Sequence, residues 1–275
     1  MTESWQAHFS ERRDLVAAFA GGDRFVAASD AAVFVVASDD AERPLWTRSV
    51  DTPVLQTCVD QSGGVWALRG DFISRWSADG DALDDVWLDS PAQRIAVRPD
   101  GGVVASVHIA ENELRFFDMA SQVTTATVDG PDSSHRLHAL AWDGAGVWRP
   151  EYERLVFAEP TAQRDVPLAG VGGVCGLVAT DAGVLVGDFE GGRVLRVDAD
   201  GVLEPVATFS DQLFAFDALG DRLAAVTTGV GQHADRVTLT VGSFETRLPT
   251  PPNGVALAAN RVAVNLNGTL RTWPV

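Results

Sequence analysis

Three of the five histidines, His108, His135 and His233, stand in stretches rich in turn-forming residues, and similar stretches carry Asp188, Glu190 and Asp235. Imidazoles and carboxylates are the side chains that hold a divalent cation, so these six residues could build a metal site if the fold brought their loops together. Other polar and aromatic residues stand beside them: Glu111 and Asn112 after His108, Arg136 after His135, and Phe189 between the two acids. A further group, Trp148, Arg149, Glu151 and Tyr152, has the mixture of aromatic ring, guanidinium and carboxylate that suits a protein-binding surface. The familiar catalytic spacings are absent: there is no G-x-S-x-G, H-E-x-x-H, phosphate-binding loop or dinucleotide fingerprint. Cys58 and Cys175 lack the C-x-x-C spacing of a zinc site and read as buried free thiols.

Whether these residues meet depends on the elements that carry them. The stretch from Cys175 to Phe209 holds four short apolar runs separated by Asp/Gly turns, and no 3.6-residue stripe survives past one turn, so the runs read as strands. The same plan recurs. Taking the second strand of each unit as the anchor, the units register at Phe25, Val65, Val103, Val147, Val184, Leu223 and Val262, a period of about 40 residues with four strands per unit. The expected fold is therefore all-β: a seven-bladed β-propeller of four-stranded antiparallel blades within a single domain, 1–275. The blades fall at about 14–50, 53–90, 92–129, 137–169, 173–209, 214–248 and 253–275. Within the fourth, the run RPEYERL from Arg149 reads as irregular. The seventh supplies only three strands, and the alternating segment SWQAHFS from Ser4 to Ser10 is expected to complete it as the outermost strand.

The turn and strand pattern, with ISRWSADG at Ile73, LRFFD at Leu114, VLRVDADG at Val194 and LRTW at Leu270, resembles WD-repeat, YVTN-type and NHL-type propellers over essentially the whole chain. The Gly-His that opens a standard WD repeat is absent. A second, local resemblance is the segment PPNGVAL at Pro251, which is similar to the Pro-Asn-Gly segment of the senescence-marker/gluconolactonase propellers. That resemblance implies that Asn253 ligates a divalent cation that polarises a lactone carbonyl. Pro-Asn-Gly is also an ordinary turn.

The charge balance narrows the partners. All 21 basic residues are arginines, against 38 acids, for a net charge of -17. Such a surface repels a phosphate backbone, so nucleic-acid binding is not expected. A halophilic or GC-rich source would give this lysine-free, acidic composition; so would escape from amine-directed modification, or an acidic face that receives a basic partner. No apolar run approaches the roughly 18 residues needed to cross a bilayer, and the N-terminal residues do not resemble a signal peptide, so a cytoplasmic location, monomeric by itself, is expected.

In a propeller the connections from one blade to the next and the turns from second to third strands emerge on one face. That face would gather His108, Glu111, Asn112, His135, Arg136, Trp148, Arg149, Glu151, Tyr152, Asp188, Phe189, Glu190, His233 and Asp235. The expected function is a non-enzymatic protein-interaction scaffold that docks a protein partner there and needs no cofactor. The alternative is a divalent-metal-dependent lactonase or hydrolase of gluconolactonase-like type, with Asn253 as its ligand.

Overall fold

The computed structural model describes residues 13–83, 85–108, 110–130, 139–144, 146–151, 153–198, 201–230 and 235–275. Blade one is β1 (Val16–Ala18), β2 (Arg24–Ala28), β3 (Ala32–Ala37) and β4 (Asp40–Ser49). Blade two is β5 (Gln56–Val59), β6 (Val65–Leu68), β7 (Phe72–Trp76) and the short β8 (Val86–Trp87). Blade three is β9 (Arg94–Val97), β10 (Val103–His108), β11 (Glu113–Asp118) and β12 (Val123–Asp129); blade four is β13 (Ala141–Asp143), β14 (Gly146–Glu151), β15 (Arg154–Glu159) and β16 (Ala162–Pro167). Blade five is β17 (Val174–Thr180), β18 (Gly183–Asp188), β19 (Arg193–Val197) and β20 (Leu203–Thr208). Blade six is β21 (Gln212–Leu219), β22 (Arg222–Thr228), β23 (Val237–Val241) and β24 (Phe244–Leu248), and blade seven is β25 (Val255–Leu257), β26 (Arg261–Leu266) and β27 (Thr269–Pro274). Every blade is an antiparallel meander in chain order.

The first strands β1, β5, β9, β13, β17, β21 and β25 lie beside one another in that order, and β25 returns to β1, so the seven blades close into a ring. The second strands are sandwiched between neighbouring blades, which is why they read as unbroken apolar runs: VWAL of β6 is buried at every position. The fourth strands form the rim, and β12 and β16 are mostly exposed. Hydrophobic clusters fill the seams. Val16, Phe25 and Ala27 of blade one pack with Ala256, Ala263 and Leu270 of blade seven, and this cluster closes the ring. At the seam between blades five and six only glycine fits at Gly187, where a Cβ would lie 2.6 Å from Cys175 Sγ and 2.7 Å from the Phe216 ring.

Blade seven has three strands among the described residues, and the Ser4–Ser10 segment assigned to its rim lies outside them. The run from Arg149 is not irregular. It forms the end of β14 and a tight hairpin into β15, with Glu151 opposite Arg154. Cys58 on β5 and Cys175 on β17 are free thiols in different blades; burial, with Asp60 and Asp14 nearby, pushes the Cys58 thiol up to about 12.

Side chains also tie the innermost strands together. Gln56 bonds both the N–H and the C=O of Ile95, joining blade two to blade three. Asp217 of β21 accepts from the backbone N–H groups of Leu257 in blade seven (2.7 Å) and Ala218 (2.9 Å). Its carboxylate is enclosed although the residue as a whole is only partly buried, and desolvation pushes it up to about 6 against those two bonds. A carboxyl held above its unfolded value of about 3.9 favours the folded state below that value and loses the contribution as pH rises through about 6. Asp217→Asn is expected to flatten the decline in melting temperature between pH 4 and 7. Parallel pH profiles for the two proteins would refute the assignment.

Candidate functional site

The meander sends the second-to-third-strand turns and the blade-to-blade connections to one face, as expected. The structure sorts the residues predicted there into two groups. Glu111, Asn112, Glu190 and Asp235 are exposed in the turns. Trp148, Arg149, His108, Asp188 and Phe189 are buried, and their placement on an exposed docking surface is corrected. His135, Arg136, Tyr152 and His233 lie outside the described residues.

Each buried side chain is committed to the fold. His108 is the last residue of β10, where both ring nitrogens are engaged: Nδ1 with Ser90 Oγ at 2.9 Å and Nε2 with Ser106 Oγ at 2.8 Å. Burial, followed by the charge of Arg115, holds its pKa below the ordinary histidine value. Trp148 donates from Nε1 to Asp143 Oδ2 at 2.9 Å and packs on Phe157 with ring centroids 4.9 Å apart, so it belongs to the core between blades four and five. Asp188 accepts from the N–H groups of Gly172 (2.9 Å) and Gly191 (3.1 Å) and from Arg193 Nε (2.7 Å), fastening the connection before blade five to the turn within it.

Arg149, 1% exposed, pairs through Nη2 with Glu151 Oε1 at 2.8 Å. Glu151 Oε2 also holds Arg154, which bridges on to Asp165. Burial pulls the Arg149 guanidinium below its usual value, with Glu151 opposing the shift. Nε and Nη1 of Arg149 have no hydrogen-bond partner among the described residues.

This division follows a rule. Arg69, Arg94 and Arg149 are buried on the loop-rich face, Arg69 against Asp51, Thr52 and Ser74. Asp188 is enclosed with them, whereas the carboxylates at the tips of the turns remain outside. Each second-to-third-strand turn of blades one to six carries an exposed acid: Asp30, Asp71, Glu111, Glu153, Glu190 and Asp235. Blade seven has Asn267-Gly268 there instead, with φ of 53° and 86° in the left-handed region that a two-residue hairpin turn requires. Sequence reasoning named three of the six acids and missed Asp30, Asp71 and Glu153; superposing the seven anchor strands and reading the turn that follows each would have found them.

No cluster of three or more His, Cys, Asp or Glu residues with metal-site proximity occurs among the described residues. Asn253 stands on the same face at the entry to blade seven. Its backbone N–H donates to Asn265 O (2.7 Å), its carbonyl accepts from Leu15 (2.8 Å), and its side-chain amide lies 3.4 Å from Asn267 Oδ1.

This geometry defines the class: an all-β, seven-bladed propeller with its polar loops on one face. Among solved structures it is similar to virginiamycin B lyase from Staphylococcus aureus, with a TM-score of 0.70, 12% identity, and coverage of 96% of this chain and 94% of that one. It is similar to a streptogramin B lyase at a TM-score of 0.72 and 13% identity over 97% and 94% of the two chains. PorZ of Porphyromonas gingivalis, a surface component of the type-IX secretion system, matches at a TM-score of 0.64 and 14% identity over 96% of this chain and 37% of that one. At these identities the likeness is one of fold. No protein-family model matches the chain. No curated protein sequence matches it either.

Proposed function

We propose that this propeller is a non-enzymatic interaction scaffold that receives a basic protein partner on its loop-rich face. The observation that carries the reading is the ring of six exposed turn acids around a face whose buried arginines are turned inward. Such a surface attracts cationic groups over a distance set by the ionic strength, and suits arginine or lysine side chains of a partner. The hydrolase reading depends on Asn253, whose backbone is spent joining blade seven to β1 and whose side chain faces another amide. The docking reading uses groups that face solvent.

The test is affinity purification from the native source with a triple variant, Glu111→Arg, Glu190→Arg and Asp235→Arg, as the control. The wild-type protein is expected to retain a stoichiometric basic protein, and the variant to bind it at least roughly tenfold more weakly with an unchanged melting temperature. Raising salt from about 0.1 to 1 M, which shortens the screening length from about 10 to 3 Å, is expected to weaken the wild-type complex. Equal retention by the variant would refute the docking face. Purification of the chain alone with stoichiometric divalent metal and lactone hydrolysis would refute the scaffold in favour of the hydrolase.

A further inference from the structure

Trp87, on the rim strand β8 of blade two, is 66% exposed, more than any other large apolar side chain among the described residues. A lone exposed apolar residue is ordinary. What sets Trp87 apart is its surroundings. Burial alternates along its strand: Val86 and Leu88 are enclosed and pack with Ile95 and Phe117 of blade three, whereas Asp85, Trp87 and Asp89 face solvent. Trp87 pairs with Phe72 at the start of β7, and the two rings lie 4.9 Å apart. The turn before Phe72 is held against this pair, because Leu88 N–H donates to Asp71 O at 2.8 Å. Asp71 is one of the six exposed turn acids, so Trp87 stands at the outer border of the loop-rich face with carboxylates before it, after it and beside it.

We propose that Trp87, backed by Phe72, is the aromatic anchor of the docking face and takes an arginine side chain from a basic segment of the partner. The proposal rests on the docking reading above and adds the residue that grips the partner. The face of an indole is negative and attracts a cation more strongly than any other aromatic side chain does. A guanidinium is planar and weakly hydrated; stacked flat on the ring, it keeps its in-plane N–H groups for carboxylates at the border. An apolar partner would desolvate Asp85, Asp89 and Asp71 and leave them nothing to pair with.

The chain itself uses this pairing repeatedly. Arg75 lies 4.3 Å from the Trp66 ring centroid, Arg164 5.0 Å from Trp148 and Arg48 5.8 Å from Trp46. Arg69, enclosed and paired with Asp51, lies 4.5 Å from the Phe72 centroid, so the ring behind Trp87 already holds a guanidinium from within its own blade. The Trp87 ring offers the same chemistry to solvent.

The test follows the indole N–H signals of the full-length protein by NMR, the Trp87 signal being the one lost in Trp87→Leu. The probes are a capped Gly-Arg-Gly-Arg-Gly peptide and the same peptide with citrulline, a neutral isostere, in place of arginine. The arginine peptide is expected to shift the Trp87 signal saturably, and the citrulline peptide to bind at least roughly tenfold more weakly. Trp87→Leu, which keeps an apolar side chain without the ring, is expected to weaken the arginine peptide at least roughly fivefold with the melting temperature nearly unchanged. Replacing Asp71, Asp85 and Asp89 together by Asn is expected to weaken it as well. A Trp87 signal unmoved by the arginine peptide, equal binding of the citrulline peptide, or equal binding by Trp87→Leu would each overturn the anchor. The two readings fail separately. If the triple turn variant loses the arginine peptide and Trp87→Leu does not, the docking face stands and the anchor falls. If Trp87→Leu loses the peptide while the turn variant retains the native partner, the ring of turn acids falls and the anchor stands.

Discussion

Asn265→Asp is expected to unfold at least roughly 10 °C below the parent protein. Asn265 is fully buried on β26, where Nδ2 donates to Leu15 O (3.0 Å) and Ala28 O (2.7 Å) of blade one, and Oδ1 accepts from Gly268 N–H (2.8 Å). One amide therefore satisfies three backbone groups, two of them across the seam where the ring closes. A carboxylate has no donor for the two carbonyls and sets its charge against them, in a place where water cannot compensate. Asn265→Ala removes the same three bonds without the added charge; Leu15 O keeps the Ala28 N–H, and Ala28 O and Gly268 N–H lose this partner, at about 1–3 kcal/mol for each group left without one. The loss in the Asp variant is expected to grow as pH rises through the carboxyl's titration, whereas the loss in the Ala variant stays flat. Exposed Asn260 provides the control: Asn260→Ala is expected to shift stability by no more than about 0.5 kcal/mol. A melting temperature for Asn265→Asp within a degree of the parent would show that the seam does not depend on this amide.

The second large effect concerns the Arg149–Glu151 ion pair at the end of β14 in blade four. Glu151→Ala is expected to cost about 3–5 kcal/mol, because it strands the Arg149 guanidinium, whose only hydrogen-bonded partner among the described residues is Glu151. Replacing both partners, Arg149→Met with Glu151→Gln, is expected to recover most of that loss, since the buried charge goes with its counter-ion. Thermal melts of the two singles and the double measure the coupling directly. If Glu151→Ala costs no more than the double variant, the guanidinium is not confined as the structure has it. This reverses what an exposed-loop reading of Arg149, Glu151 and Tyr152 implies, namely that their joint replacement by alanine leaves stability nearly unchanged. Partner binding is better probed at Glu111, Glu190 and Asp235, where the side chains are exposed and a charge change leaves the core intact.

The stretch RPEYERL shows how the two residues came to be misplaced. Arg, Pro and Glu in succession break the apolar run of a second strand, and in a sequence that looks like a loop. Here Pro150 lies inside β14 opposite Leu155, and Glu151 neutralises the buried Arg149 on the same strand. Trp148 was misjudged for the related reason that a tryptophan next to charged residues reads as a surface anchor, yet its indole N–H had a partner in Asp143, five residues earlier. His108 and Asp188 look like ligands by type, and each is instead the polar stopper of its second strand, bonded to the connection that arrives from the preceding blade. Glu111, Glu190 and Asp235 are exposed in their turns, which topology alone implies, because the tip of a turn between two strands has no neighbour to cover it.

What the sequence determined by itself was the architecture: seven units of about 40 residues, the strands within them, and the face on which the turns emerge. These rest on local patterns, since strand periodicity and turn chemistry are set by residues close together in the chain. Only the tertiary structure decided which polar side chains face solvent and which are enclosed. The environment of Arg149, His108, Asp188 and Asn265 is set by contacts that reach across the chain, in Asn265 to residues 237 and 250 positions away. A side chain's type records that it needs a partner; the ring decides whether that partner comes from within the protein or from outside it.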